Sequence, residues 1–158
     1  GNVVYTSSKT LMLMLSEKII AFCKEKGWWY DELLPEYAEA LKSLDIDLNS
    51  DFATFYLHVE DSPTFYSRHQ ALYQICWFVI NTPYDISLSF THAALELPEE
   101  YIPLDSFEAE GGFFYNRKTG EVLEIEVGQK LIDFRNGKLS PQWSNFNAFI
   151  EWFFELDN

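Results

Sequence analysis

Apolar residues recur at helical spacing in the first third of the chain and predict two helices there. The first helix is expected to begin at Ser7 or Ser8 and to end at Lys26. Gly27 follows, and glycine readily takes the left-handed conformation that stops a helix. The second helix is expected over Pro35–Leu44, because proline at the first helical position lacks only an N–H that would be unpaired anyway. The buried face of the first helix would consist of Leu11, Leu15, Ile19, Phe22 and Cys23.

The end of the chain predicts a further helix over Asn145–Leu156, with Ser144 as its N-cap. Helical spacing places its largest apolar residues on one face, which would pack on the core. Those residues are Phe146, Phe149, Ile150 and Phe153.

Alternating residues predict strands in the middle of the chain. Phe52–Val59 alternates in this way, and Thr119-Gly120 is expected to close a hairpin turn further on, because glycine tolerates positive φ. Residues 69–80 have helical spacing, although Ile75–Ile80 could equally be a buried strand, and Asp85–Leu97 is expected to form a short helix. The other predicted strands are Tyr101–Phe107, Gly112–Asn116, Glu121–Val127 and Lys130–Phe134.

These elements predict an α+β fold in which N-terminal, middle and C-terminal helices pack on an antiparallel sheet. The length of 158 residues predicts one domain, and an apolar fraction of 47% excludes a disordered chain. Cys23 and Cys76 lie in apolar stretches, which is typical of buried free thiols in a reducing compartment. The first residues lack a secretory leader pattern, and Leu11–Leu15 is too short to span a membrane, so a cytoplasmic location is expected.

The charge of the chain indicates more about its possible partners than its overall composition does. The net charge is −14, which disfavours nucleic acid and anionic membranes as ligands and favours a basic protein partner. Residues 30–61, the first acidic block, hold nine acids and one base. Residues 92–126, the second acidic block, hold nine acids and two bases. The alternative is that this charge serves only solubility, although solubility does not require such clustering.

No catalytic residue, metal ligand or cofactor site is predicted. Asp45–Asp51 resembles the opening of a calcium loop, because carboxylates stand at alternate positions. Ser50 occupies the place of the required glycine, however, and Tyr56 that of the bidentate glutamate, so a solvated acidic loop is the preferred interpretation. The histidines lie on separate elements without zinc-ligand spacing: His58, His69 and His92.

The order of several local patterns resembles the SUKH superfamily, which groups fungal cell-wall-synthesis regulators with bacterial immunity proteins. The resemblance covers most of residues 30–156 and is weaker over residues 62–95. It implies a single domain over residues 1–158 and carries no catalytic signature. The matching segments are Leu34-Pro35-Glu36-Tyr37, Phe55-Tyr56, Leu97-Pro98-Glu99-Glu100-Tyr101-Ile102, Gly111-Gly112-Phe113-Phe114-Tyr115 with Thr119-Gly120-Glu121-Val122, and Ser144-Asn145-Phe146-Asn147-Ala148-Phe149-Ile150.

The resemblance implies an immunity protein that binds and occludes a cognate bacterial toxin domain, such as a basic nuclease or deaminase. The alternative is a non-catalytic regulatory module that binds a cellular protein, and no residue pattern supports an enzyme. The predicted partner-binding residues in the second acidic block are Glu96, Glu99, Glu100, Tyr101, Asp105, Glu108, Glu110 and Tyr115. The next candidates, in the first acidic block, are Asp45, Asp47 and Asp51.

Overall fold

The computed structural model describes residues 14–107 and 111–157 and has an α+β fold. The prediction of a single α+β domain is therefore confirmed. The helices are α1 (Glu17–Lys26), α2 (Pro35–Ser43), α3 (Asp51–His58), α4 (Ile75–Asn81), α5 (Tyr84–Leu95), α6 (Gln129–Arg135) and α7 (Phe146–Phe153). The strands are β1 (Thr64–Ser67), β2 (Gln70–Tyr73), β3 (Tyr101–Pro103), β4 (Gly111–Asn116) and β5 (Val122–Glu126).

The helices near the start of the chain follow the prediction in part. α1 ends at Lys26 and is followed by Gly27, which has a φ of 78°, and α2 begins at Pro35, as expected. The helix predicted from Ser7 or Ser8 does not run unbroken to Lys26, since Ser16 is extended and α1 begins only after it. The predicted start lies outside the described residues.

The strand predicted over Phe52–Val59 is wrong, because this segment is helix α3. The Ser50 side chain accepts a hydrogen bond from the Ala53 N–H, which caps the helix. Phe52 and Tyr56, four residues apart, are both fully buried, as a helix facing the core on one side requires. The residues of this segment fit both the alternating spacing of a strand and the spacing of a helix, and the segment forms the helix.

Two predictions near the C-terminus are also wrong. Lys130–Phe134 is helical, as part of α6, and follows Gly128, whose φ of 117° turns the chain after β5. The N-cap of α7 is Asn145 rather than Ser144, because the Asn145 side chain accepts a hydrogen bond from the Ala148 N–H. α7 also ends earlier than predicted.

The middle of the chain contains a hairpin that no sequence signal marked. β1 and β2 pair antiparallel, and their turn residues Arg68 and His69 both have positive φ without being glycine or asparagine. The helix predicted over residues 69–80 is confirmed only from Ile75 onward, since Gln70–Tyr73 is a strand, and the alternative of a buried strand over Ile75–Ile80 is wrong. The short helix expected over Asp85–Leu97 is confirmed as α5.

The second sheet has the strand order β3-β4-β5 and is antiparallel throughout. Tyr115 pairs with Val122, and Gly120 has a φ of 82°, so the predicted hairpin is confirmed. Gly112 is packed closely, since an added Cβ would lie 2.5 Å from Asp105 Oδ1. β4 lies at the centre of the sheet and carries Phe113 and Phe114 into the interior.

The main core lies between α1, α3, α7 and the sheet and is rich in aromatic side chains. A smaller apolar cluster joins α5 and α6 to β4 and β5. Cys23 and Cys76 are buried and free, as the sequence predicts. Burial raises the pKa of the Cys23 thiol to about 12, so this thiol is protonated at neutral pH.

A candidate protein-binding groove

Two segments distant in sequence meet next to α2 and α3. Trp29 and Val59 form an isolated antiparallel bridge. On either side of it, the Tyr30 N–H donates to the His58 carbonyl at 2.7 Å, and the Glu60 N–H donates to the Trp28 carbonyl at 3.0 Å. These backbone bonds fix the aromatic run after α1 against the end of α3.

A groove of about 720 Å³ opens where these segments meet, and we call it the acidic groove. Its carboxylates all belong to the first acidic block: Asp31, Glu32, Glu60 and Asp61. Among the residues that the structure describes, no Lys or Arg forms an ion pair with any of them. The groove therefore combines concave shape with unneutralised negative charge.

Aromatic donors position two of these carboxylates. The Trp29 indole Nε1–H donates to Asp31 Oδ1 at 3.1 Å, and the Tyr37 hydroxyl donates to Glu60 Oε1 at 2.7 Å. Burial, followed by the hydrogen bond to Glu60, raises the pKa of Tyr37 well above its usual value. The hydroxyl thus remains a donor at any physiological pH and holds Glu60 in place.

Two side chains, His58 and Lys24, lie against the Trp29 ring in the wall of the acidic groove. The His58 ring stacks on Trp29 with centroids 4.6 Å apart and planes 7° from parallel. Lys24 Nζ lies 5.9 Å from the centre of the Trp29 ring, within cation–π range. His58 Nδ1 also lies 2.7 Å from the Tyr30 carbonyl oxygen, which restrains the ring.

Apolar side chains around the acidic groove are exposed to solvent. Tyr30 is 54% exposed, Leu33 49% and Leu34 46%. Tyr30 and Leu34 line the groove itself. Large apolar groups surrounded by charge are typical of protein-binding surfaces, where they supply the desolvated contacts.

The structure brings three of the predicted binding residues together elsewhere. Glu96, Glu100 and Tyr101 line a shallow depression with Phe134 and Arg135. Here the charge is partly neutralised, because Arg135 Nη2 lies 3.2 Å from Glu96 Oε2. Glu100 Oε2 accepts a hydrogen bond from the Asn116 side chain at 3.3 Å.

Two further carboxylates of the second acidic block also lie close to a cation. Arg117 donates from its guanidinium to the backbone carbonyls of Leu44 and Glu99. Lys130 Nζ lies 3.5 Å from Glu124 Oε1 and 3.1 Å from Glu126 Oε1. Among the described residues, three carboxylates of this block, Glu96, Glu124 and Glu126, are therefore paired with a cation.

Two of the predicted binding residues require correction. Tyr115 is 4% exposed and stacks on Phe52 with ring centroids 4.1 Å apart. Asp51 is also 4% exposed and accepts from the N–H groups of Phe52 and Asn147. Both side chains belong to the interior, so they are removed from the candidate surface.

The remaining predicted residues that the structure describes are Asp105, Asp45 and Asp47, which lie on two separate segments of the chain. Asp105 is half-buried and accepts from the Phe107 N–H at 3.1 Å, while Glu108 and Glu110 lie outside the described residues. Asp45 and Asp47 are exposed, and Asp47 Oδ1 accepts from the Asn49 N–H at 2.9 Å.

The Asp45–Asp51 segment is not arranged as a calcium loop, since Asp51 turns into the protein as the first residue of α3. Within the described ranges, no group of three or more His, Cys, Asp or Glu side chains could hold a metal ion.

Sequence reasoning missed the residues of the acidic groove. Asp31 and Asp61 were counted in the first acidic block, but their thirty-residue separation hid the fact that they line one groove. A usable signal was present in the aromatic run Trp28-Trp29-Tyr30 directly before two acids. Exposed aromatic residues next to carboxylates indicate a binding surface more directly than charge alone.

No family model, curated protein or solved structure matches the chain. The resemblance to the SUKH superfamily therefore rests on the sequence patterns alone. In the part of the chain that the structure describes, every helix is too short or too polar to cross a bilayer.

Proposed function

We propose that this protein is an immunity protein of the cytoplasm, which binds a cognate toxin domain in a one-to-one complex and occludes it without catalysis. The acidic groove is the proposed contact surface. The observation that carries the proposal is the set of four groove carboxylates without a counter-cation among the described residues, next to exposed Tyr30, Leu33 and Leu34.

Electrostatics supports a basic partner. A nuclease must hold a polyanion, so its active cleft is lined with Lys and Arg. An acidic surface attracts such a cleft over long range and speeds association. The same charge disfavours nucleic acid and anionic membranes as ligands of this protein, whose net charge is −14.

The exposed apolar residues support tight rather than purely electrostatic binding. Interfaces draw most of their affinity from a few desolvated aromatic or apolar side chains, surrounded by contacts that exclude water. Tyr30 and Leu34 line the acidic groove and would become buried under a partner. The SUKH resemblance contributes the expectation that the partner is a toxin.

The test is co-expression with the C-terminal domain of any secreted protein encoded directly upstream of this gene. We expect co-purification, and we expect inhibition of the toxin to be complete at one molecule of this protein per toxin domain. Full inhibition far below that ratio would indicate turnover and contradict the proposal. Binding to a cellular protein in place of the toxin domain would favour the regulatory alternative.

A further inference from the structure

We propose that the acidic groove selects arginine over lysine in a short basic segment of the partner, holding a guanidinium against the carboxylates of Asp31 and Glu60 and the ring of Tyr30. This inference deepens the proposed function and rests on it for the kind of partner, a basic protein.

The size of the groove indicates a peptide segment rather than a single ion. Pockets of about 300–1,000 Å³ typically enclose drug-sized ligands, and the groove has about 720 Å³. Charge complementarity requires this segment to be basic, because the groove carries Asp31, Glu32, Glu60 and Asp61. An arginine with one or two neighbouring residues fits such a space.

The fixed positions of two carboxylates favour a guanidinium. Asp31 and Glu60 each accept one hydrogen bond from an aromatic donor, and no other hydrogen bond to their carboxylates occurs within the described residues. An ionised carboxylate has about four acceptor sites, so both retain capacity for a ligand. A planar guanidinium with a rigid fork of donors suits positioned carboxylates better than an ammonium does.

The aromatic residues favour the same cation. Tyr30 is more than half exposed, and guanidinium groups stack on aromatic faces in a way that a strongly hydrated ammonium does not. The position of Lys24 Nζ over the Trp29 ring shows that this wall already holds a cation belonging to the chain itself. A partner's arginine would experience the same attraction, with the carboxylates in addition.

The experiment compares three blocked peptides by calorimetry at low salt: tetra-arginine, tetra-lysine and tetra-citrulline. We expect tetra-arginine to bind roughly tenfold more tightly than tetra-lysine, because bidentate and stacked arginine contacts are not reproduced by lysine. Citrulline keeps the shape of arginine without its charge, and no binding of tetra-citrulline is expected. Equal binding of the arginine and lysine peptides would overturn the inference.

Charge-neutralising variants test whether the preference for arginine resides in the acidic groove. The pair Asp31→Asn with Glu60→Gln keeps acceptors for Trp29 and Tyr37, removes two charges, and is expected to abolish the preference for arginine. The matched pair Glu99→Gln with Glu121→Gln removes the same charge from the second acidic block and should leave the preference intact. If both pairs reduce arginine binding equally, the selection does not reside in the groove and the inference is wrong.

Two further variants separate stacking from general charge. Tyr30→Leu keeps an apolar side chain and should reduce binding of tetra-arginine without changing that of tetra-lysine. Lys24→Gln removes the competing cation and should leave the arginine preference unchanged or raise it. A toxin domain that binds this protein while the peptides show no arginine preference would overturn this inference alone and leave the proposed function standing.

Discussion

Residues 30–61 and residues 92–126 each hold nine acidic side chains, but the structure surrounds these acids differently. In the second acidic block, Glu96, Glu124 and Glu126 form ion pairs with Arg135 or Lys130. In the first, the one ion pair among described residues joins Glu39 to Lys42 on the exposed face of α2. Within the described ranges, the acids of the acidic groove form no ion pair with Lys or Arg.

The difference shows why net charge is a poor guide to a binding site. A carboxylate already paired with a cation offers little attraction to a partner and must lose that cation to gain another. A carboxylate held by a neutral donor, as Glu60 is by Tyr37, keeps its full charge. Among the described residues, one carboxylate of the first acidic block and three of the second are in ion pairs. We therefore expect the first block to attract a basic partner more strongly, although the formal charges of the two blocks are nearly the same.

The largest effect is expected from reversing charge in the groove. Asp31→Lys with Asp61→Lys should weaken binding of the partner by roughly a hundredfold or more, since juxtaposed like charges cost several kcal/mol across an interface. Calorimetry or surface plasmon resonance with the toxin domain would measure it.

The matched control is Glu99→Lys with Glu121→Lys, which changes the net charge equally in the second acidic block. We expect this pair to bind within about threefold of the parent, because exposed charges distant from an interface are screened by salt. An equal loss in both pairs would show that only total charge matters, and the comparison between the blocks would fail.

A stability effect is expected at Asp51, which belongs to the first acidic block but faces the interior. Asp51→Asn should cost about 1–3 kcal/mol of unfolding free energy, because an amide has only one acceptor oxygen and one of the N–H groups of Phe52 and Asn147 therefore loses its partner. Denaturant unfolding would measure it. Partner affinity should be unchanged, and a loss of affinity in a variant that is still folded would contradict the structural role assigned to Asp51.

The difference in stability between the parent and Asp51→Asn should change with pH in one direction. Burial raises the pKa of Asp51 above its usual value, against the opposing effect of its backbone hydrogen bonds. The folded protein therefore holds this proton more tightly than the unfolded chain does. The associated stability is fully present below the unfolded pKa of about 3.9 and is lost as pH rises through the folded pKa. Relative to Asp51→Asn, the parent should lose stability as pH rises through this window, and an opposite trend would refute the assignment.

Salt should distinguish the two blocks by association rate. Exposed charges are screened beyond about 8 Å at physiological ionic strength, so association of the parent should slow by roughly tenfold from low to high salt. Stopped-flow fluorescence would follow it. The groove reversal should flatten this dependence, whereas the second-block reversal should keep it. A parent rate that does not change with salt would exclude electrostatic capture.

The smallest effect is expected from Tyr37→Phe, which removes the donor to Glu60 and nothing else. Losing one hydrogen bond to a charged group should lower the unfolding free energy by about 1–2 kcal/mol and affinity by a few-fold. Thermal melting and calorimetry would measure both. Tyr101→Phe, in the second acidic block, is the control and should leave affinity unchanged.

Local signals in the sequence predicted part of the fold correctly. Pro35 begins α2, Gly27 ends α1, and Thr119-Gly120 lies in the turn between β4 and β5. In each case one residue has a backbone preference that fits a single local conformation. Such positions can be interpreted without knowledge of the rest of the molecule.

Other parts depended on contacts that sequence patterns do not reveal. The Phe52–Val59 segment alternates like a strand, yet it is a helix whose Phe52 and Phe55 pack on Phe146 of α7. The turn at Arg68-His69 has positive φ angles but contains no glycine that would predict it. Arg68 Nε donates a hydrogen bond to the carbonyl of Trp152, far along the chain. Tertiary packing decided these conformations over local preference.

The candidate site was predicted at the level of charge but not of position. The sequence identified an acidic protein with two acidic blocks, and the carboxylates of the acidic groove belong to the first of them. It could not show that Trp29 pairs with Val59, because this bridge joins residues thirty positions apart. That long-range contact creates the acidic groove.

Amide hydrogen exchange of the complex would locate the interface without any mutation. We expect binding of the toxin domain to slow exchange in residues 29–34 and 56–61, the two sides of the acidic groove, and to leave exchange in residues 96–101 unchanged. Protection confined to residues 96–101, with the groove exchanging as in the free protein, would show that the interface lies in the second acidic block and that the acidic groove is not the contact surface.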